Sequence, residues 1–185
     1  MVLYDTRIRL RAIEREDLPR FVRWFNDPDV RRNLQLFIPL GLSQEEEWFK
    51  GILQRPVEEQ PLVIEIRQGD DWLPVGNAGF FSIRNSDRAA EIGISIGEKT
   101  YWDKGYGTEA VRLLLKFGFN ELNLNRIFLR VYETNLRSIR SYEKAGFKVD
   151  GRLRQDRFMD GKYIDVFIMS IVRSEWKEES SGGNQ

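Results

Sequence analysis

The residues best placed to do chemistry lie in the stretch Thr100-Tyr101-Trp102-Asp103-Lys104-Gly105-Tyr106-Gly107-Thr108-Glu109-Ala110. It begins just beyond an alternating apolar run and ends inside an apolar helical one, so a strand feeds a glycine-rich turn and the turn opens a helix. Gly105 and Gly107 carry no Cβ, which lets the backbone take positive φ and lets a ligand approach its N–H groups closely. The first N–H groups of a helix lack intrahelical partners and sit at the positive end of its dipole. Such a turn suits a pyrophosphate, with Lys104 adding one mobile positive charge. A plain packing turn explains the glycine spacing alone equally well.

Absent residue types narrow the chemistry further. The 185-residue chain contains no Cys and no His. Ser-His and Cys-His nucleophilic schemes, thiolate metal sites and His-based zinc sites are therefore excluded, and no metal is expected. Acid–base work falls to Asp, Glu, Tyr, Lys, the backbone or water. Lys plus Arg equals Asp plus Glu at 29 each, so no net positive charge points to nucleic acid. Hydrophobic residues make up 41% of the chain, enough for a real core. No apolar run approaches a membrane span and Met1 leads into no signal-like segment, so the expectation is a cytoplasmic protein with no membrane partner.

The elements that must position the glycine turn can be read in order. Thr6 to Leu10 alternates as a half-buried strand. Glu16-Asp17 opens an amphipathic helix bearing Leu18, Phe21, Val22, Trp24 and Phe25, which Asn26-Asp27-Pro28 ends. Val30 to Leu36 is a candidate short helix. Ser43 caps the next helix through Gln44-Glu45-Glu46, with Trp48, Phe49 and Ile52 on one face. These helices can wall a cleft or simply cover a sheet, and Glu45, Glu46 and Glu47 read as a solvated helix start. Leu62–Arg67, Trp72–Ile83 and Ala89–Ile96 form an antiparallel meander turning at Gly69-Asp70-Asp71 and Asn85-Ser86-Asp87. The helix from Gly107 to Phe119 then leads to a strand at Ile127–Tyr132, parallel to the one before it. A second helix spans Asn135 to Lys144 and closes at Gly146. Phe147–Leu153 and Tyr163–Ile171 are the last strands, joined by a hairpin at Asp160-Gly161. Residues 1–176 read as a single domain and 177–185 as a polar tail.

A Walker loop requires Lys after its last glycine, and Lys104 precedes both. A Rossmann reading fits Gly105-x-Gly107-x-x-Ala110 with Glu133 after the next strand. Gly97 to Lys104, however, separates strand from glycine, and the upstream meander does not belong to a doubly wound sheet. The loop instead resembles the acetyl-CoA loop of the GNAT superfamily, Gln/Arg-x-x-Gly-x-Gly/Ala. It is closest to the branch of ribosomal-protein N-terminal acetyltransferases and spermidine acetyltransferases. A second match is Glu133-Thr134-Asn135-Leu136-Arg137-Ser138-Ile139-Arg140-Ser141-Tyr142-Glu143-Lys144-Ala145-Gly146-Phe147, with Asn, Ser, Tyr and Gly-Phe at the family's spacing. Two departures stand out. Trp102 replaces the usual Gln or Arg. Asp103 replaces a common glycine and is expected to point away from the phosphates, toward Lys104 or Arg112.

The resemblance implies an α+β (mixed α/β) GNAT fold. Its central sheet is mostly antiparallel, with one parallel pair splayed around the acetyl-CoA cleft and helices on both faces. It implies an N-acetyltransferase moving an acetyl group from acetyl-CoA to a primary amine such as a protein N-terminus or a polyamine. Backbone groups near Ile94 and Ile96 would hold the pantetheine arm, and a backbone N–H near Ile94 would polarise the carbonyl. Amides of Lys104, Gly105, Tyr106, Gly107 and Thr108 would hold the pyrophosphate, and Asn135 would bond the arm or cap its helix. Tyr142, beside the sulfur, is the general-acid candidate and Glu91 the base candidate. A non-catalytic acyl-CoA-binding protein of this fold and an NAD-binding oxidoreductase are the rival expectations, and a homodimer stays open.

Overall fold

The computed structural model describes residues 2–34, 36 and 38–178. Its strands are β1 (Leu3–Tyr4), β2 (Ile8–Ala12), β3 (Leu62–Gln68), β4 (Asp71–Arg84), β5 (Ala89–Ile96), β6 (Arg126–Tyr132), β7 (Lys148–Met159) and β8 (Lys162–Val172). Its helices are α1 (Leu18–Asn26), α2 (Pro28–Arg31), α3 (Leu42–Ile52), α4 (Tyr106–Asn120) and α5 (Leu136–Lys144). The strands form one eight-stranded sheet in the order β1-β2-β3-β4-β5-β6-β8-β7. Among the described residues only β5 and β6 run parallel; every other neighbouring pair is antiparallel. The α+β expectation holds, and the antiparallel sheet removes the doubly wound alternative.

Alternation along the strands divides the core between the two faces. On one face Ile8, Leu10, Ile64 and Ile92 pack with Val111, Leu114 and Leu115 of α4 and with Tyr142 of α5. On the other face Val63 packs with Leu18, Phe21 and Trp24 of α1 and with Ile52 of α3. Helices therefore cover both faces, and the two ends of any ligand threaded through the sheet meet different helices.

Several boundaries differ from expectation. A short β1 precedes the first expected strand, because Leu3 and Tyr4 pair with Leu10 and Arg9. The helix expected at Val30–Leu36 is the earlier α2, where Pro28 occupies the first turn and the Asp27 side chain accepts from the Asp29 and Val30 N–H groups. Gln35 and Phe37 lie outside the described residues. The cap of α3 is Gly41, not Ser43: the Gln44 side chain accepts from the Gly41 N–H at 2.8 Å. Of the expected polar tail, residues 179–185 lie outside the described residues, while Glu178 pairs with Lys116 of α4 at 2.9 Å.

Two irregularities shape the sheet. The parallel pairing of β5 with β6 covers only Ala89, Ala90 and Glu91 opposite Arg126, Ile127 and Phe128. Beyond Glu91 the two strands diverge, leaving Ile92–Ile96 with an unpaired edge. In the β7–β8 hairpin the register jumps between Leu153 and Arg157, so residues 154–156 bulge opposite Asp165 alone. The Asp165 carboxylate accepts from the Gln155 N–H at 2.7 Å and from Arg152, and these contacts hold it below the usual carboxylate range.

Candidate active site

Backbone parity decides what faces the gap between β5 and β6. The Gly97 N–H donates to the Val75 carbonyl of β4 at 2.9 Å. Alternate residues of a strand point their amides to the same side, so Ser95 and Gly93 also face β4. The amides of Ile92, Ile94 and Ile96 therefore face the opening toward β6. A flexible amide-bearing arm laid there gains strand-like partners that no apolar wall offers. One expected partner is already engaged: the Trp102 indole N–H donates to the Ile96 carbonyl at 2.7 Å. Trp102 thus closes the end of β5, and the Arg137 guanidinium lies 3.6 Å from its ring centroid.

One cavity, about 630 Å³, opens at the N-terminus of α4 and is lined by Gly105, Tyr106, Gly107 and Thr108. Gly105 takes φ 89°, the left-handed conformation that the turn into α4 requires. Its carbonyl accepts from Glu109, and no side chain caps the helix, so the amides of the first turn are left for a ligand. Thr108 Oγ1 and Ser141 Oγ lie 2.8 Å apart and tie this turn to α5. The cation expected here is differently supplied. Lys104 Nζ sits 5.2 Å from the Tyr101 ring centroid, and its side chain does not line the cavity. Arg137, Arg140 and Lys144 of α5 line it instead. Asp103 lines the cavity and acts electrostatically on Arg137. Orphan amides plus three cations match a pyrophosphate ester well.

The second cavity, about 520 Å³, lies on the α1–α3 side of the sheet. Phe25, Leu36, Leu40 and Trp48 form its apolar wall, and Glu91, Gly93 and Ser95 of β5 its floor. The two cavities share Ile94, Ile96, Trp102, Arg137, Ser138 and Tyr142. They are two arms of one passage through the splayed sheet.

Tyr142 stands at the junction, 7% exposed. Burial pushes its phenol up to about 12, and a hydrogen bond with Ser138 offsets only part of this. Asn135 caps α5, its Oδ1 accepting from the Ser138 N–H at 3.2 Å, and also lines the cavity on the α1–α3 side. Glu91 lines that cavity too, but both its oxygens accept from Arg130, each at 2.9 Å. Glu45, set aside in the sequence as a solvated residue, is 4% exposed and lines the same cavity. Among the described residues its carboxylate meets no donor, and burial alone raises it above the usual range. Its position was legible: it lies three, four and seven residues before Trp48, Phe49 and Ile52, on the apolar face of α3.

Comparison with known proteins agrees with this geometry. Residues 7–148 match the model of the acetyltransferase (GNAT) domain family. An uncharacterised N-acetyltransferase, p20, of Bacillus licheniformis is 32% identical over 94% of this chain and 97% of its own. The spermidine N(1)-acetyltransferase of Escherichia coli K12 is 30% identical over 93% of this chain and 89% of its own. A crystal structure of spermidine N-acetyltransferase from Vibrio cholerae, in complex with CoA and spermine, superposes with a TM-score of 0.84 at 27% identity, covering 92% of this chain and 98% of that one. Matched by the family model over residues 7–148 and similar to these acetyltransferases over nearly its whole length, the chain belongs to the GNAT acetyltransferases and is an N-acetyltransferase that draws its acetyl group from acetyl-CoA.

Proposed function

We propose that acetyl-CoA enters on the α4 side, that the acceptor amine enters on the α1–α3 side, and that the acetyl group passes directly between them beside Tyr142. The single observation behind this reading is the junction itself, where two cavities meet at one buried tyrosine. The first-turn amides of α4, with Arg137, Arg140 and Lys144, hold the pyrophosphate. The Ile94 backbone and the Asn135 amide hold the pantetheine arm, and the Ile94 N–H polarises the thioester carbonyl. Tyr142 donates to the departing thiolate. The attacking amine must shed a proton; Glu45, unpaired and raised by burial, is better prepared to take it than Glu91, which Arg130 holds. A spermidine or spermine acceptor is what the relatives' names supply, and any primary amine that reaches the junction fits the reaction.

Chain composition fixes the kinetic order to expect. Without Cys or His the usual routes to an acyl-enzyme are closed, and proximity in a ternary complex supplies much of the rate. Initial-rate plots against one substrate at several levels of the other should intersect. Parallel lines, together with a stoichiometrically acetylated and chemically competent protein in mass spectra, would overturn direct transfer.

The phosphate turn has its own test. A Cβ built on Gly107 meets nothing nearer than Ser141 Oγ at 3.8 Å and Ile96 Cγ1 at 3.9 Å, so the folded chain tolerates alanine there. The branched methyls of valine reach into the space the pyrophosphate needs. Gly107→Val should weaken acetyl-CoA binding at least about tenfold, or about 1.4 kcal/mol, while Gly107→Ala stays near wild type. Calorimetric titration reads both; a folded valine variant with unchanged affinity removes the assignment.

A further inference from the structure

Arg7 lies outside the passage but grips the turn that opens α4. Its backbone is fixed at the start of β2, where its carbonyl accepts from the Arg67 N–H of β3 at 2.9 Å. From there the side chain crosses to α4. Its guanidinium donates to the Lys104 carbonyl at 3.2 Å. It also pairs with the Glu109 carboxylate through Nε and Nη2, and it lies 4.8 Å from the Tyr106 ring centroid. Gly105 and Tyr106 line the α4 cavity; Arg7 and Glu109 do not.

Both polar contacts bear on the amides of the turn. Gly105, at φ 89°, has no Cβ to forbid a flip of the Lys104–Gly105 peptide. In a trans peptide the carbonyl and the following N–H point in opposite directions. Holding the Lys104 carbonyl on Arg7 therefore keeps the Gly105 N–H turned away from Arg7, to the cavity side. Among the described residues the N–H groups of residues 105–108 donate to no backbone carbonyl. The second contact concerns charge. A Cβ built on Gly105 would lie 3.7 Å from Glu109 Oε1 and 3.3 Å from Arg7 Nη2. An acid thus stands close to the free amides, where alone it would repel an anion, and Arg7 supplies the compensating charge.

We propose that Arg7 is a positioning residue for acetyl-CoA: it holds the Gly105 N–H toward the pyrophosphate and cancels the charge of Glu109, without touching the ligand itself. The proposal rests on the pyrophosphate reading of the α4 turn and adds to it the distant side chain that keeps the turn receptive.

A truncated donor separates this role from general support of the fold. Arg7→Met keeps an apolar stem beside Tyr106 and removes the charge and every side-chain donor. In calorimetric titration at low ionic strength it should weaken acetyl-CoA binding about tenfold, the scale of one lost charge-assisted hydrogen bond and one unmasked like charge. S-acetylpantetheine keeps the thioester and the arm but carries no phosphate. Its affinity, read by competition against acetyl-CoA, should stay within about twofold of wild type. Adding Glu109→Gln to Arg7→Met should win back about threefold of the acetyl-CoA affinity, because the unmasked carboxylate is gone. Arg7→Lys keeps the charge but lacks the fork that serves Glu109 and the Lys104 carbonyl together; it should fall between, and it reads the role where the methionine variant fails to fold. Unchanged acetyl-CoA affinity in folded Arg7→Met, an equal loss for S-acetylpantetheine, or no recovery in the double variant would each overturn the proposal. Wild-type protein that binds S-acetylpantetheine as tightly as acetyl-CoA would instead count against the pyrophosphate reading beneath it.

Discussion

Tyr142→Phe should lower kcat by about 10²-fold while acetyl-CoA affinity stays within twofold of wild type, the scale set by losing one donor to developing negative charge. The ring is 7% exposed and packs 5.9 Å from the Phe147 ring centroid, a contact phenylalanine keeps. Only the hydroxyl and its bond to Ser138 are lost, so the melting temperature should barely move. The direction of the pKa shift refines the role. With its phenol raised to about 12 by burial, Tyr142 is protonated at every working pH, but it is also a weak acid. In the proposed mechanism its contribution is then a hydrogen bond to sulfur that strengthens as the thiolate forms. An alkaline fall in rate below pH 10 therefore belongs to another group, and Tyr142→Phe should lower the whole profile without moving it. The acid limb of kcat/KM should belong to the base. Glu45, raised by burial, places that limb above the ordinary carboxylate range, and Glu45→Gln should abolish it. If Tyr142→Phe turns over at near the wild-type rate, the tyrosine is packing and the thiolate leaves unaided.

How much of this site the sequence displayed follows from how local each feature is. The α4 turn needs only Gly105 at positive φ and an uncapped first turn, and both are written within a few residues. Asn135 and Gly146 likewise mark the ends of α5 by local chemistry, through an Asx cap and a φ of 97°. The cations of the cavity at the start of α4 were harder. Lys104 adjoins the glycines, yet its side chain folds back on Tyr101, while Arg137 and Arg140 reach the cavity because α5 packs beside α4. Trp102 looked like a departure from the family pattern; only the path of β5 reveals that its indole closes the strand at Ile96. Arg7 was the least legible. The Lys104 carbonyl that it holds lies 97 residues further along the chain.

A second large effect should appear where the acceptor wall is fastened to the sheet. The Asp17 carboxylate, 4% exposed, accepts from Arg11 Nη1 at 2.7 Å and Nη2 at 2.8 Å, and from the Glu14 N–H at 3.0 Å. Arg11 in turn donates from Nε to Glu65 of β3 at 2.8 Å. The start of α1 is thereby bound to β2 and β3. Burial works against ionising Asp17, but the Arg11 guanidinium more than offsets it and holds the carboxyl below its usual range. Asp17→Asn keeps the shape, removes the charge and leaves half of the Arg11 fork unpaired. Breaking such a buried pair costs about 3 kcal/mol. In a chain of this size that lowers the melting temperature by about 6–12 °C. A depressed carboxylate contributes stability above its unfolded pKa and loses it as pH falls through the folded value. The gap between wild type and Asp17→Asn in urea unfolding should therefore be full at pH 7 and shrink toward pH 3; a gap that persists in acid assigns the loss to packing. Because α1 carries Phe25 to the cavity proposed for the acceptor, the same variant should raise the KM of the amine, while calorimetric affinity for acetyl-CoA, proposed to bind on the α4 side, should be kept.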